Sequence, residues 1–512
     1  MGYILAIDQG TTGSTVLVVD VRSRGEVKVI GRDTIEFPQH FPETGWVEHD
    51  LEDIWQSVET AAKRALTTAA TLDRDFRVEK IAAIGITNQR ETLCAFDRAS
   101  AAARSRAIVW QCKRSTDICQ RLKADGLEKT FRERTGLVLD PYFSGTKITW
   151  LMENRPELAR EIASGRTVLG TVDTFLVARL TGGKSFVTEP SNASRTLAFD
   201  IRKGTWDEEL LRTLKIPSVD ALAEVRDSAS KFGVTKGLSF LPDGVPITGV
   251  LGDQQAALAG QTCFEPGEAK CTYGTGAFLL ANLGNEPKSS RAGLLTTIAW
   301  SLGGKRTYAF EGAAFIAGAA VQFLRDQLQL LDRASESEAL ATGVQAAPEV
   351  YFVPALAGLG APHWDPRAQG AFLGLTRGTT KAQMVRAVLD GIAFQVADLT
   401  DAIAADLGQP LKILRVDGGA SANGLLMKSQ AEFASVIVDQ PTQLETTALG
   451  AALFAAMGAG IFSGIDELKK LRKVDQLFST SNSADERRRV ETQRAGWRRA
   501  IHAVQVFAGT AT

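Results

Sequence analysis

Two stretches far apart in the chain repeat one plan, and that repetition restricts the fold more than any other feature. Residues 5–20, LAIDQGTTGSTVLVVD, set two apolar β-branched runs on either side of a polar turn, Asp8-Gln9-Gly10-Thr11-Thr12-Gly13-Ser14. This pattern predicts a β-hairpin with glycines at its tip. Glycine lets the backbone turn sharply and bring its N–H groups close to an anion. The carboxylate of Asp8, at the strand end, suits a hydrated magnesium ion, which prefers oxygen ligands and keeps several waters. Residues 270–284, KCTYGTGAFLLANLG, repeat the order of strand, Gly-Thr-Gly tip and apolar strand. Two such hairpins predict a duplicated fold that grips one phosphate chain from both sides.

A chain of 512 residues has room for two domains. The formal net charge of -1 argues against a nucleic-acid partner, which needs a basic face. A phosphorylated ligand must therefore be neutralised locally, by metal and backbone amides. The five cysteines are odd in number and form no C-x-x-C pair, which fits a reduced cytoplasmic protein. The four histidines, His40, His49, His363 and His502, are too scattered for a zinc site. No basic segment precedes the first apolar run, so no signal peptide is expected. Ala6 stands where an N-myristoylation motif wants Ser or Thr. The uncharged run 446–465, TTALGAALFAAMGAGIFSGI, has the length of a bilayer span. Its Ala, Gly and Thr content predicts instead a helix packed tightly against a sheet, with no membrane insertion.

Between the hairpins the chain alternates strands and helices. Asp50 is placed to cap a helix on which Leu51, Ile54, Trp55, Val58, Ala62 and Ala65 recur at helical spacing. Residues 80–92, 107–114 and 166–173 read as strands, the first two ending in polar residues or Trp110. This alternation predicts an α/β architecture, in which ligands gather beyond the carboxyl ends of strands. Arg90 and Glu91 there offer donors and an acceptor side by side, a match for neighbouring hydroxyls on a polyol. Residues 247–261 read as a strand delivering Asp253 and Gln254 into a turn and an Ala-rich helix, with Asp253 a possible N-cap. A domain boundary is expected just beyond, where Pro266 and Gly267 interrupt the pattern, giving domains 1–260 and 261–512.

In the second half, residues 311–326 read as a helix of small residues with Gly318 and Gln322 four apart on one face. Thr380 can cap the helix that follows it. Residues 411–439 read as strand, Gly-Gly turn, helix and strand; Gly418-Gly419 would let a flat ring or ribose lie against the backbone, near Asn423. The Arg-rich C-terminal segment, from about Asp485, reads as a solvated helix face. GGKS at 182–185 lacks the first P-loop glycine, where Ala178 stands, and no strand-linked G-x-G-x-x-G occurs. Phosphate binding is therefore neither of the Walker nor of the Rossmann kind.

Taken in order, DQGTT, GWVEHD, GITNQRET, IVWQC, TGLVLDPYFSGTKITW, GTVDTF, NASRT, GDQQAAL, YGTG, GLGAPHWDP, GLTRGT and VDGGASAN resemble segments of the FGGY carbohydrate kinases, in particular those acting on glycerol. Residues 142–154 and 370–390 look like the two signature patterns of that family, and the resemblance covers essentially the whole chain. It implies an actin-like ATPase fold, two ribonuclease-H-like domains with the active site in the cleft between them. It also implies ATP-dependent phosphorylation of glycerol to sn-glycerol 3-phosphate, in glycerol catabolism, with ATP and Mg2+ as cofactors. By position it places Thr11, Thr12 and Gly13 on the first phosphate hairpin and Thr275 on the second. Gly318, Gln322, Gly419 and Asn423 would contact the nucleotide. Arg90, Glu91, Tyr142, Asp253 and Gln254 would hold the triol, with Trp110 and Phe278 as apolar walls. Phosphoryl transfer needs positioning, charge stabilisation and a carboxylate to take the hydroxyl proton. Asp253 is the expected base and Asp8 the expected magnesium-side carboxylate, acting through water. The family resemblance also implies a cytoplasmic homo-oligomer, a dimer or tetramer.

Three departures stand out. Many members acting on glycerol carry Arg after DQGTTGS, where this chain has Thr15. Residues 234–244, VTKGLSFLPDG, lack the Gly-Gly-Lys-Gly-Gly loop through which some bacterial members are inhibited by fructose bisphosphate. No histidine lies between His49 and His363, which excludes control by histidine phosphorylation in the later part of the first domain. The alternatives are another FGGY kinase, acting on a pentulose or tetritol, and an actin- or chaperone-like ATPase without a metabolite acceptor.

Overall fold

The computed structural model describes residues 2–23, 25–344, 350–481 and 483–510. Both glycine-tipped hairpins form. Tyr3–Gln9 pairs antiparallel with Gly13–Asp20, and Ala269–Tyr273 with Ala277–Gly284. Each hairpin seeds a mixed sheet of the same plan. In the first, six-stranded sheet, Tyr3–Gln9 is also paired in parallel with Ile81–Asn88, which is parallel to Pro246–Gly252. In the second, seven-stranded sheet, Ala269–Tyr273 is parallel to Ile413–Asp417, and that strand to Ile437–Pro441. The central strands are buried on both faces, so they read as continuous apolar runs rather than alternating ones.

The helix Leu51–Leu72 covers the outer face of the first sheet, with Leu51, Ile54, Trp55, Val58, Ala62 and Ala65 all buried and Asp50 accepting the Glu52 N–H as its cap. The outer face of the second sheet carries the helix Lys381–Leu407, started by Thr380 in a reciprocal capping box with Gln383. Between the sheets lie two helices, Asp253–Gly260 and Thr446–Gly458. They share one apolar core with Ile4, Ala6 and Leu251 of the first sheet and Leu280 and Ala309 of the second. A Cβ on Gly450 would collide with the carbonyl oxygen of Ala256, so the helices meet backbone to backbone only because glycine stands there. The uncharged run is thus the tightly packed helix its composition indicates. Among the described residues no helix is long and apolar enough to cross a membrane. All five cysteines are free and buried.

Three expectations need correction. The strand expected at 107–114 is only Ala107–Ile108 and pairs with Glu48–His49, off the main sheet. The strand in 166–173, Thr167–Gly170, likewise pairs with Cys94–Asp97 in a separate two-stranded sheet. Residues 311–314 belong to the strand Lys305–Ala314, and the helix begins only at Gly318. The C-terminal helix Ala484–Ala508 forms with the solvated face expected, and Trp497, Ala500, Ile501 and Val504 on its other face pack into the core of the second lobe.

Candidate active site

Both hairpin tips are held from behind. In the first, the Gly10 N–H donates to the Gly13 carbonyl at 2.9 Å, and the Gln39 side chain donates to the Thr11 carbonyl at 2.9 Å. Gln39 in turn is held by His49 Nε2 at 2.6 Å, while Gln89 reaches His49 Nδ1, Gln9 Oε1 and the Gly10 carbonyl. In the second, the Gly274 N–H donates to the Gly276 carbonyl, and the N–H groups of Ala317 and Gly318 donate to the Thr275 and Gly274 carbonyls. The second tip is therefore docked on the start of the helix Gly318–Asp326. Thr12 and Thr275 are exposed at the two tips.

A cavity of about 400 Å³ opens beside the second tip. Thr275, Gly318, Gln322, Gly419 and Asn423 all line it, together with the apolar Val321, Leu389 and Leu426. Gly418, at φ +85°, turns the chain against the Tyr273 backbone, where a Cβ would not fit; Gly419 faces open space. Asn423 caps the helix Gly424–Ala434, accepting from the Leu426 N–H at 2.9 Å, and donates to Ser337 at 3.2 Å. Its size and mixed lining suit a nucleoside.

On the other side of the tips, residues from both lobes converge. Asp253 is the first residue of its helix; Gly252, not Asp253, is the N-cap, and Asp253 Oδ1 accepts the Gln254 N–H at 2.7 Å. Asp253 Oδ1 lies 3.0 Å from Arg90 Nε, and that nitrogen is buried without a hydrogen-bond partner among the described residues. Glu91 has a left-handed backbone, φ 59°, an uncommon conformation for a side-chain-bearing residue and one found at constrained sites. Its Oε1 accepts from Arg195 Nε at 2.5 Å. The Arg195 guanidinium lies 5.5 Å from the Tyr142 ring centroid, and Trp110 packs edge-on against Tyr142 at 5.5 Å and Phe278 at 6.4 Å. The Trp110 indole N–H donates to Thr11 Oγ1 at 2.9 Å, so the aromatic wall touches the first hairpin tip as well as the second hairpin. Burial raises the pKa of Tyr142, which stays a neutral donor. Lys270 donates to Gln254 Oε1 at 2.5 Å.

Asp8 is half-buried at the end of its strand. Burial, then Asp253 and Glu445 nearby, push its carboxyl well above the ordinary range. A carboxylate destabilised by two like charges is a site where a divalent cation gains most. Among the described residues no His, Cys, Asp or Glu group forms a protein metal cage.

All sixteen side chains and backbone positions expected from sequence thus fall in two adjoining regions around the hairpin tips. Three residues that sequence reasoning passed over also belong there: Arg195, Lys270 and Glu311. NASRT contained Arg195 without a stated role, and Glu311 was hidden by a helical reading of a strand. Lys270 carried the one usable signal, a lone charge inside an apolar hairpin.

Paired phosphate-type hairpins, a nucleoside-sized cavity on one side and a buried polar cluster bearing the partly exposed Asp253 carboxylate on the other define a phosphotransferase. The comparisons with known proteins agree. Family models match residues 3–260 as the N-terminal domain and 269–459 as the C-terminal domain of the FGGY family of carbohydrate kinases. The glycerol kinase of Myxococcus xanthus is 50% identical over 501 residues, covering 98% of both chains. The crystal structure of Plasmodium falciparum glycerol kinase with ADP superposes with a TM-score of 0.89 at 34% identity, covering 98% of each chain. A ligand-bound xylulose kinase from Lactobacillus acidophilus, at 20% identity and a TM-score of 0.85 with 99% of each chain covered, shares the fold. The chain belongs to the FGGY family of carbohydrate kinases.

Proposed function

We propose that this chain transfers the γ-phosphoryl group of ATP to a terminal hydroxyl of glycerol, giving ADP and sn-glycerol 3-phosphate. The observation that carries the reading is the convergence of Arg90, Glu91, Tyr142, Asp253 and Gln254 behind a wall of Trp110 and Phe278, next to both hairpin tips. The charged and amide groups match vicinal hydroxyls, and the aromatic edges match the carbon chain. A site built to hydrogen-bond hydroxyls strongly disfavours analogues that lack them.

In this reading Asp253 accepts the proton of the attacking hydroxyl, and Arg90, Glu91, Tyr142 and Gln254 orient the triol. The N–H groups of Thr11, Thr12 and Gly13 on one tip, and Thr275 on the other, hold the phosphates. Gly318, Gln322, Gly419 and Asn423 seat the adenosine. Asp8, through water, would hold a magnesium ion, which would neutralise phosphate charge when bound. Exclusion of water by the two lobes, taken as 1–260 and 261–512, would favour the alcohol over water as acceptor. The reading also takes the enzyme as a cytoplasmic dimer or tetramer, which fractionation and light scattering test.

Coupled ADP release over a panel of polyols and ketoses tests the proposal. Turnover should depend on glycerol and exceed that with pentuloses or tetritols. Steady ADP release without any acceptor would instead mark an ATPase, and preference for a ketose another kinase specificity. Asp253→Asn should lower kcat by about 10²–10⁴-fold, the usual contribution of general-base catalysis. Near-normal turnover in that variant removes Asp253 as the base.

A further inference from the structure

Two charged residues of the second sheet, neither exposed at all, reach across to Gln254 and Arg90, two of the first-lobe residues that would grip the acceptor. Lys270 pairs with Leu280 across the second hairpin, and Leu280 pairs with Glu311 on the next strand. Directly opposed residues on neighbouring antiparallel strands project from the same face. Lys270 and Glu311 therefore stand on one row, two strand spacings or about 10 Å apart, with an apolar residue between them. Both face the first lobe.

Each does one thing there. Lys270 Nζ donates to Gln254 Oε1 at 2.5 Å and to Thr272 Oγ1 at 2.8 Å. An ammonium group has no acceptor capacity, so it fixes the oxygen end of the Gln254 amide toward itself and turns the NH2 end away. Glu311 takes both ends of the Arg90 guanidinium, Nη1 at 2.6 Å and Nη2 at 2.9 Å, and also Arg195 Nη2 at 3.1 Å. With its two terminal nitrogens engaged, Arg90 can turn only its Nε toward Asp253. Glu91 closes the ring through Arg195, so the four charges Arg90, Glu311, Arg195 and Glu91 alternate in sign.

We propose that Lys270 and Glu311 are positioning residues for the acceptor: from the second lobe they fix Gln254 and Arg90, and through them align the hydroxyl with Asp253. The inference rests on the glycerol-phosphorylating reading above. It implies that the acceptor site is complete only when both lobes are in place, so acceptor binding reports lobe contact. The nucleotide cavity, lined from the second lobe alone, is independent of this row.

Steady-state kinetics on the full chain with Lys270→Met, Glu311→Gln and Glu311→Asp test it. Lys270→Met frees the buried Gln254 amide and Glu311→Gln breaks a buried charge pair with Arg90, and each should raise the glycerol KM about tenfold or more. The ATP KM should stay within about twofold, because uniform binding at the nucleotide site is untouched. Glu311→Asp, which keeps the charge, should recover part of the loss. A glycerol KM unchanged in folded variants, or both KM values rising together, would overturn the inference. If Glu311→Gln does not fold, Lys270→Met and Glu311→Asp give the same readout. Wild-type protein assayed alongside separates the two questions: absence of glycerol turnover there refutes the function, not the role of the row.

Discussion

Arg90 shows how much a single residue's environment decides. Read from sequence, Arg90-Glu91 could be an exposed ion pair, and such pairs contribute little. In the fold both are buried, and a lone buried charge is costly unless paired. Glu311 answers that cost: burial pushes its carboxyl up, but Arg195 and Arg90 outweigh it and hold it down at about 2. The pair is therefore ionised throughout the working pH range and held in place for a ligand. Thr15 stands where the family pattern that the sequence resembles leads one to expect Arg. It lies opposite Asp8 across the hairpin, so its side chain shares the Asp8 face, and its hydroxyl bonds only Thr34, at 2.9 Å. An arginine there would add a cation beside the phosphates. Thr15→Arg should lower the ATP KM by about three- to tenfold, the worth of a charge-assisted hydrogen bond that is partly solvent-screened. An unchanged KM would show the position to be unimportant in this chain.

Among the elements, the first hairpin depends on a buttress that titrates. His49 is fully buried, and burial, then His40 nearby, lower its pKa to about 4. Its neutral ring donates from Nε2 to Gln39 and accepts at Nδ1 from Gln89, and these two glutamines hold the tip. The folded pKa lies below the unfolded value of 6.5, so the unfolded chain binds the proton more readily. Stability from this group is complete above about pH 6.5 and falls as pH drops toward about 4, by on the order of 3 kcal/mol. Urea titrations at pH 7 and pH 4.5 should show a loss that shrinks in His49→Gln; an equal loss in both proteins would contradict this role. The hairpins themselves were legible because glycine tips between β-branched runs leave few alternatives. The strand Lys305–Ala314 was not, since Glu311, Ala313 and Ala314 are good helix formers and lead directly toward the helix Gly318–Asp326. There the ladders to strands on both sides override local propensity. Residues 107–114 misled for the opposite reason: an apolar run of strand character whose polar end turns away to place Trp110 over Thr11. The Gly-Gly turn beside Asn423 was legible from sequence, whereas Gly318 and Gln322 were assigned to the nucleotide through the family resemblance, because cavity lining depends on long-range packing that spacing alone does not encode.

At the scale of the molecule, one chain builds two sheets of one plan and brings their hairpins together through Trp110, which touches Thr11 of the first and Phe278 of the second. The helices Asp253–Gly260 and Thr446–Gly458, meeting through glycine between the sheets, join the lobes close to Asp253. Both the expected base and the acceptor grip thus lie where the lobes meet, while the nucleotide cavity belongs to one lobe. The central claim is that both tips hold one triphosphate, in line with the acceptor. A crystal structure with a non-hydrolysable ATP analogue and glycerol tests it most directly. The account predicts the triphosphate between residues 10–13 and 274–276, with a glycerol hydroxyl beside Asp253; a triphosphate lying away from both tips would contradict it.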